Sequence, residues 1–205
     1  MKPDEIENLS FQIIEQEIGA HSLSNEQWPI VRRMIHTSAD FEYKDMVRFH
    51  PRAIQSGLDA IRGGKKIITD TNMARVGIRK KELDQFGAST ACFMNDPMVH
   101  RQAKTSGITR ARVAVDMAVE EMKDGIYVIG NAPTALLRII ELVSDQKARP
   151  ALIIGLPVGF VNAAESKTAL MELNYPYISN VGRKGGSNVA ASVVNALAIM
   201  AAGDV

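Results

Sequence analysis

The stretch Gly182-Arg183-Lys184-Gly185-Gly186-Ser187-Asn188 is the segment whose composition most directly suggests chemistry. Its glycines let backbone N–H groups converge, a helix starting just after it favours anions at its N-terminus, and Arg183 and Lys184 add positive charge. Such a turn suits a carboxylate or a phosphate, although an ordinary tight connection between strand and helix accounts for the same residues. It has neither the GxGxxG order nor the Walker spacing, which leaves nucleotide binding weakly supported. His36 lies in RRMIHTSAD with Asp40 four residues on, and the two share a face if a helix runs through both. A carboxylate beside an imidazole favours the protonated form, which makes a proton donor usable near neutrality; a surface or structural histidine is the alternative. His21, His50 and His100 form no i, i+4 pair and no HExxH motif, so no protein-held metal is expected. Neither a GxSxG elbow nor a signature around Cys92 points to covalent acyl transfer. The arginines are dispersed; most are expected in solvent, and any subset gathered in one cleft would suit a polycarboxylate.

Composition limits what these residues can serve. Lys and Arg number 24 against 23 Asp and Glu, a net charge of +1, so no global field attracts nucleic acid or an anionic membrane. Hydrophobic residues are 46% and charged residues 23% of the 205, which fits a folded soluble domain and disfavours disorder. A single cysteine, an acidic N-terminus without a signal-peptide pattern and no apolar run of about 20 residues point to a cytoplasmic protein.

Alternation is the clearest signal in the elements that must position the candidates. KKIITDT (65–71), ASTACF (88–93), GIYVIG (125–130), ALIIGLP (151–157) and PYISNVG (176–182) are short apolar or β-branched runs bounded by turn residues. Segments of helical spacing such as TRARVAVDMAVEEMKD and PTALLRIIELVSD lie between them. Strand and helix in series predict a three-layer α/β fold with a mostly parallel five-stranded sheet. Residues 1–64 read as helices without strands, an N-terminal extension of a 65–205 α/β core within one domain, 1–205. Gly19, Gly63 and Gly64 are helix stops, and Ser24 with Gln27 is a capping box. Ligands of open parallel sheets bind beyond the carboxyl ends of the strands. That rule directs attention to the segments beginning at Asp70, Gly130, Gly155 and Gly182.

Six ordered blocks carry a resemblance across essentially the whole chain. They are Ser10-Phe11-x-Ile13-Ile14; Ile35-His36 with Asp40; Asp70-Thr71-x-Met73 with Gly77-Ile78; Gly130-Asn131-Ala132-Pro133-Thr134-Ala135; Gly155-x-Pro157-Val158-Gly159-Phe160-Val161 with Glu165-Ser166-Lys167; and Gly182-Arg183-Lys184-Gly185-Gly186-Ser187. Together they resemble the precorrin-8X methylmutase family, cobalt-precorrin-8 methylmutases included. The resemblance implies a flavodoxin-like fold, a homodimer with its active site near the subunit interface, and no separate cofactor. It also implies a step of cobalamin biosynthesis, the intramolecular methyl migration from C-11 to C-12 of the corrin precursor that gives hydrogenobyrinate or cobyrinate. His36 matches the family's catalytic histidine, Ser10 an active-site serine and Arg110 an active-site arginine. Asp70, Thr71, Met73, Asn131, Gly155, Arg183, Lys184, Gly185 and Gly186 are the further expected substrate contacts, against a polycarboxylate corrinoid. A non-enzymatic corrinoid carrier is the alternative of another class, and a nucleotide-binding module a third.

Overall fold

The computed structural model describes residues 2–203, so the ends of the expected 1–205 domain, Met1, Asp204 and Val205, lie outside the described residues. Along the chain run α1 (Pro3–Ile18), α2 (Trp28–Ser38), α3 (Tyr43–Met46), β1 (Val47–Phe49), α4 (Ala53–Arg62), β2 (Ile67–Thr69), α5 (Asn72–Gly77), α6 (Lys80–Asp84), β3 (Thr90–Ala91), α7 (Pro97–Ser106) and α8 (Arg110–Met117). They are followed by β4 (Ile126–Ile129), α9 (Pro133–Ser144), β5 (Leu152–Gly155), α10 (Ala163–Glu172), β6 (Tyr177–Asn180) and α11 (Ser187–Ala202).

All five expected strands form, but the sheet has six, in the order β1-β6-β5-β4-β2-β3. Neighbours from β3 to β6 pair parallel, whereas β1 pairs antiparallel with β6, Val47 opposite Asn180 and Phe49 opposite Ile178. The expectation of a strand-free N-terminal part and a five-stranded sheet is therefore corrected. Val47-Arg48-Phe49 is too short to announce itself beside the helices around it. It alternates inward Val47 with exposed Arg48, as an edge strand does.

The two faces of the sheet are both apolar, which is why β4 and β5 read as continuous hydrophobic runs. Ile126, Val128, Leu152 and Ile154 face one core with α2, α4 and α11, while Tyr127, Ile129 and Ile153 face another with α8 and α9. Helix α11, uncharged throughout, is buried on nearly all sides because β4 and β5 lie beneath it and α2, α4 and α5 lie against it. The N-terminal helices thus belong to the main core. The Ser24–Gln27 box forms before α2: Ser24 N donates to Gln27 Oε1 at 3.1 Å and Gln27 N to Ser24 Oγ at 3.2 Å.

Strand order reverses between β2 and β4, so the segments after those strands flank the crevice where open α/β sheets bind ligands. Helix α11 starts at this same edge, and α2 ends there.

Candidate active site

The segments after β2 and β4 are tied together by Asp70. Its carboxyl, 2% exposed, accepts from Gly130 N at 3.0 Å, Asn131 N at 2.9 Å and Ala132 N at 2.8 Å. Burial pushes the Asp70 pKa up and the amide donors pull it back, burial being the larger effect. With its oxygens engaged and almost no exposed surface, Asp70 shapes the Gly130–Ala132 turn that opens α9. Gly155 also lies beneath the surface. It is buried at the end of β5, and a Cβ there would press on Leu170 and Leu136. Thr71 caps α5 through Ala74 N and meets Ser187 Oγ at 2.8 Å, joining the β2 segment to the start of α11. Met73 is 66% exposed at the rim, and Asn131 is exposed beside it along the edge.

The glycine turn after β6 forms as a backbone-on-backbone contact. Gly186 N donates to Leu156 O at 3.0 Å, and a Cβ on Gly185 would collide with that same carbonyl oxygen. Gly186 has φ +138°, a conformation that L side chains rarely adopt. The turn leads directly into α11, whose first N–H groups have no intrahelical partner. Arg183 is exposed above it, with its guanidinium carbon 5.5 Å from the centre of the Phe160 ring. Phe160 itself is 83% exposed, and Val158, Val161 and Val181 add further apolar surface to this rim.

His36 occupies the last turn of α2 and is exposed. Helix α2 ends at Ser38, because Ala39 adopts a left-handed conformation with φ 51°. Asp40 therefore leaves the helical face it was expected to share with His36. It pairs with Lys184 Nζ, which also binds Glu42 at 2.9 Å. Hydrogen bonds from Asp40, and then Glu42, hold the Lys184 ammonium above the ordinary lysine range. Lys184 thus clamps the glycine turn to the segment after α2 through Asp40 and Glu42. Asn188 Nδ2, donating to Thr37 O at 3.4 Å, makes a second and longer link between α11 and the residue after His36. Tyr43, buried beneath this junction, has its hydroxyl pKa pushed up to about 12 by burial and by Asp40.

Phe11 of α1 meets the His36 ring edge-on with centroids 5.2 Å apart. Ser10, the residue before Phe11 in sequence, donates its Oγ hydroxyl to Ile6 O at 2.8 Å, a bond within α1. Arg110 follows Thr109, whose hydroxyl donates to Thr134 Oγ1 at 3.1 Å at the start of α9. It opens α8, which packs against α7 and α9, and it meets His100 Nε2 at 3.1 Å. A cavity of about 510 Å³ between α1, α2, α6 and α11 lies away from the strand ends. Three of its arginines, Arg32, Arg33 and Arg79, are paired with Glu15, Glu7 and Glu82.

Lys167 was not singled out for its own chemistry, yet it is fully buried behind the glycine turn. Its Nζ donates to Lys184 O at 2.6 Å and to Asn180 Oδ1 at 3.3 Å, and Asn180 Nδ2 donates to the same Lys184 O at 3.0 Å. A signal existed: Ala163, Ser166, Lys167 and Leu170 share the helical spacing of a buried stripe.

The end of α2 that carries His36 is thus tied to the glycine turn and the start of α11, and the start of α11 to the segment after β2. The family model described as precorrin-8X methylmutase matches residues 5–200. A cobalt-precorrin-8 methylmutase of Priestia megaterium is 47% identical over 201 residues, covering 98% of this chain and 89% of that protein. One of Salmonella typhimurium is 45% identical, covering 96% and 94%. The crystal structure of a precorrin-8X methylmutase from Thermus thermophilus superposes with a TM-score of 0.92 at 44% identity, covering 98% of each chain. Sequence and overall fold agree over nearly the full length, and the chain belongs to the precorrin-8X methylmutase family.

Proposed function

We propose that this chain is an isomerase of cobalamin biosynthesis that moves a methyl group from C-11 to C-12 of precorrin-8 or its cobalt-containing form. The observation carrying the reading is the junction of His36 with the glycine turn, through Lys184–Asp40 and Asn188–Thr37 O, at the ligand-binding edge of a member of this family. His36 is the proton donor. Protonating a ring nitrogen beside the migrating centre draws electron density out of the macrocycle and favours the shift, a task for an imidazolium within hydrogen-bonding reach. Ser10 supports the same region.

The peripheral carboxylates of the corrinoid need several donors at once. Arg183, Arg110, Asn131, the Gly185–Gly186 turn and the α11 N-terminus supply charge-assisted or amide contacts. Thr71 and exposed Met73, with Phe160, supply contact to the edge and apolar face of the ring. Parallel strands ordered β3-β2-β4-β5-β6 support the flavodoxin-like reading of the fold within one domain. The site works without a separate cofactor in a cytoplasmic homodimer. Support for the dimer comes from Met73, Val76, Phe160 and Val161, 66–83% exposed, which leave the rim open in a single chain.

The test is an anaerobic assay offering metal-free and cobalt-containing precursor side by side, read from the corrin absorption spectrum. Both bacterial relatives carry cobalt in their names, so the cobalt form is the one expected to turn over faster. Binding of both forms without turnover of either would instead favour a carrier. Sedimentation at micromolar concentration should give a dimer, and a monomer there would overturn the assembly.

A further inference from the structure

Lys167 carries a charge into the interior where, among the described residues, no carboxylate lies within hydrogen-bond distance. Its neighbours at hydrogen-bond distance are the Lys184 carbonyl and the Asn180 side chain. The elements packed on α10 are α9 and β6. Helix α9 brings Arg138 and Glu141, which pair with each other. The turn following β6 brings only the cations Arg183 and Lys184, while Glu165 and Glu172 of α10 itself face solvent. An ammonium in such surroundings is costly, and a methionine would fill the same space without that cost.

What the charge accomplishes is visible in the peptide it holds. Lys184 O accepts from both Lys167 Nζ and Asn180 Nδ2, so this carbonyl is drawn inward. In a trans peptide the N–H of the next residue points the opposite way. The Gly185 N–H is therefore turned away from the interior, and no described residue accepts from it. Exposed Arg183 and the N-terminus of α11 flank this peptide along the chain.

We propose that Lys167 is a positioning residue for substrate: from behind the turn its ammonium fixes the Lys184–Gly185 peptide so that the Gly185 N–H faces a carboxylate of the corrinoid, and its charge adds to the pull on that anion. The inference rests on the reading that this turn receives a corrinoid carboxylate. Burial lowers the Lys167 pKa to about 8, so the device is complete at neutral pH and fades above that value.

The experiment measures equilibrium binding of hydrogenobyrinate, the metal-free product, from pH 6.5 to 9.5, together with kcat and KM, for wild type, Lys167→Met and Lys167→Arg. Wild-type affinity should fall about sevenfold from pH 7 to pH 9.5, approaching the tenfold limit set by the uncharged side chain as nine-tenths of the charged form is lost with each unit beyond the pKa. Lys167→Met should bind about tenfold more weakly at pH 7, with a flat profile and with KM affected more than kcat, because His36 is untouched. Lys167→Arg keeps its charge throughout and should recover affinity at high pH. A wild-type profile flat through pH 9.5, which needs no variant to fold, would overturn the proposal. So would a Lys167→Met protein that binds as wild type does. Failure of wild type to bind hydrogenobyrinate at any pH would overturn the functional reading itself.

Discussion

Replacing Asp70 separates its bracing role from any contact with substrate. Asp70→Ala removes the acceptors for Gly130 N, Asn131 N and Ala132 N. Asn131 is exposed and its amide can turn to water, whereas Gly130 and Ala132 are buried. An unpaired buried donor costs about 1–3 kcal/mol, so the two together set a loss of about 4 kcal/mol. For a protein of this size about 1 kcal/mol corresponds to roughly 2–4 °C, which places the expected fall in Tm at about 8–16 °C. Asp70→Asn is the sharper probe. Its amide oxygen can take the place of the Oδ2 that serves Asn131 and Ala132, leaving an NH2 opposed to Gly130 N–H alone. Gly130 N–H and the Asn amide hydrogens are then unpaired, partly offset by relief of a buried charge that burial already disfavours, and a net loss of about 2 kcal/mol is expected. Urea unfolding followed by circular dichroism measures both variants, and the order wild type, Asn, Ala in falling stability is the signature. An Ala variant within about 0.5 kcal/mol of wild type, the scatter of ordinary surface changes, would refute the reasoning. An Asn variant less stable than Ala would refute it as well.

His36→Ala should fold and retain product binding while turnover falls about 10²–10⁴-fold, the range for losing a general acid; near-normal turnover would remove His36 from the mechanism. His36→Asn, able to donate a hydrogen bond but not to transfer a proton, should remain as slow. Gly185→Val should lose stability along with affinity, since any Cβ there strikes Leu156 O, and a melt unchanged from wild type would show that the turn does not rest on that carbonyl. Lys167 also predicts an alkaline effect on folding. Its folded pKa of about 8 lies below the unfolded value near 10.4, so the unfolded chain holds more protons between these limits and stability from this residue rises with pH there. The urea midpoint of wild type minus that of Lys167→Met should therefore grow from pH 8 to 10, with the loss from Tyr43 above pH 10 common to both proteins.

How much of this was legible depended on whether the signal was local. The five parallel strands announced themselves because strands covered on both faces are continuous apolar runs, as in Ile126–Ile129. Val47–Phe49 did not, since three residues carry no period and their pairing with β6 is a long-range event. The glycine turn was readable as a backbone device. The pairing of Asp40 was not, because it turned on one residue, Ala39, entering the left-handed region and ending α2 early. Asp70 could be placed at the strand end but its direction could not: an aspartate there serves a ligand or the next loop equally well until the distances are known.

The antiparallel edge strand ties the first third of the chain to β6. Val47 and Asn180 are about 130 residues apart in sequence, and α2 finds its burial against α11, a helix made long after it. Ile30, Val31, Met34 and Ile35, all 0–1% exposed once folded, leave the ribosome long before the surface that covers them. During synthesis this protein must therefore carry a wet, sticky helix for most of its elongation. A shortened transcript or a stall before residue 187 leaves that helix unburied, in reach of chaperones or of other nascent chains, and the position of His36 is set only once α11 has been made.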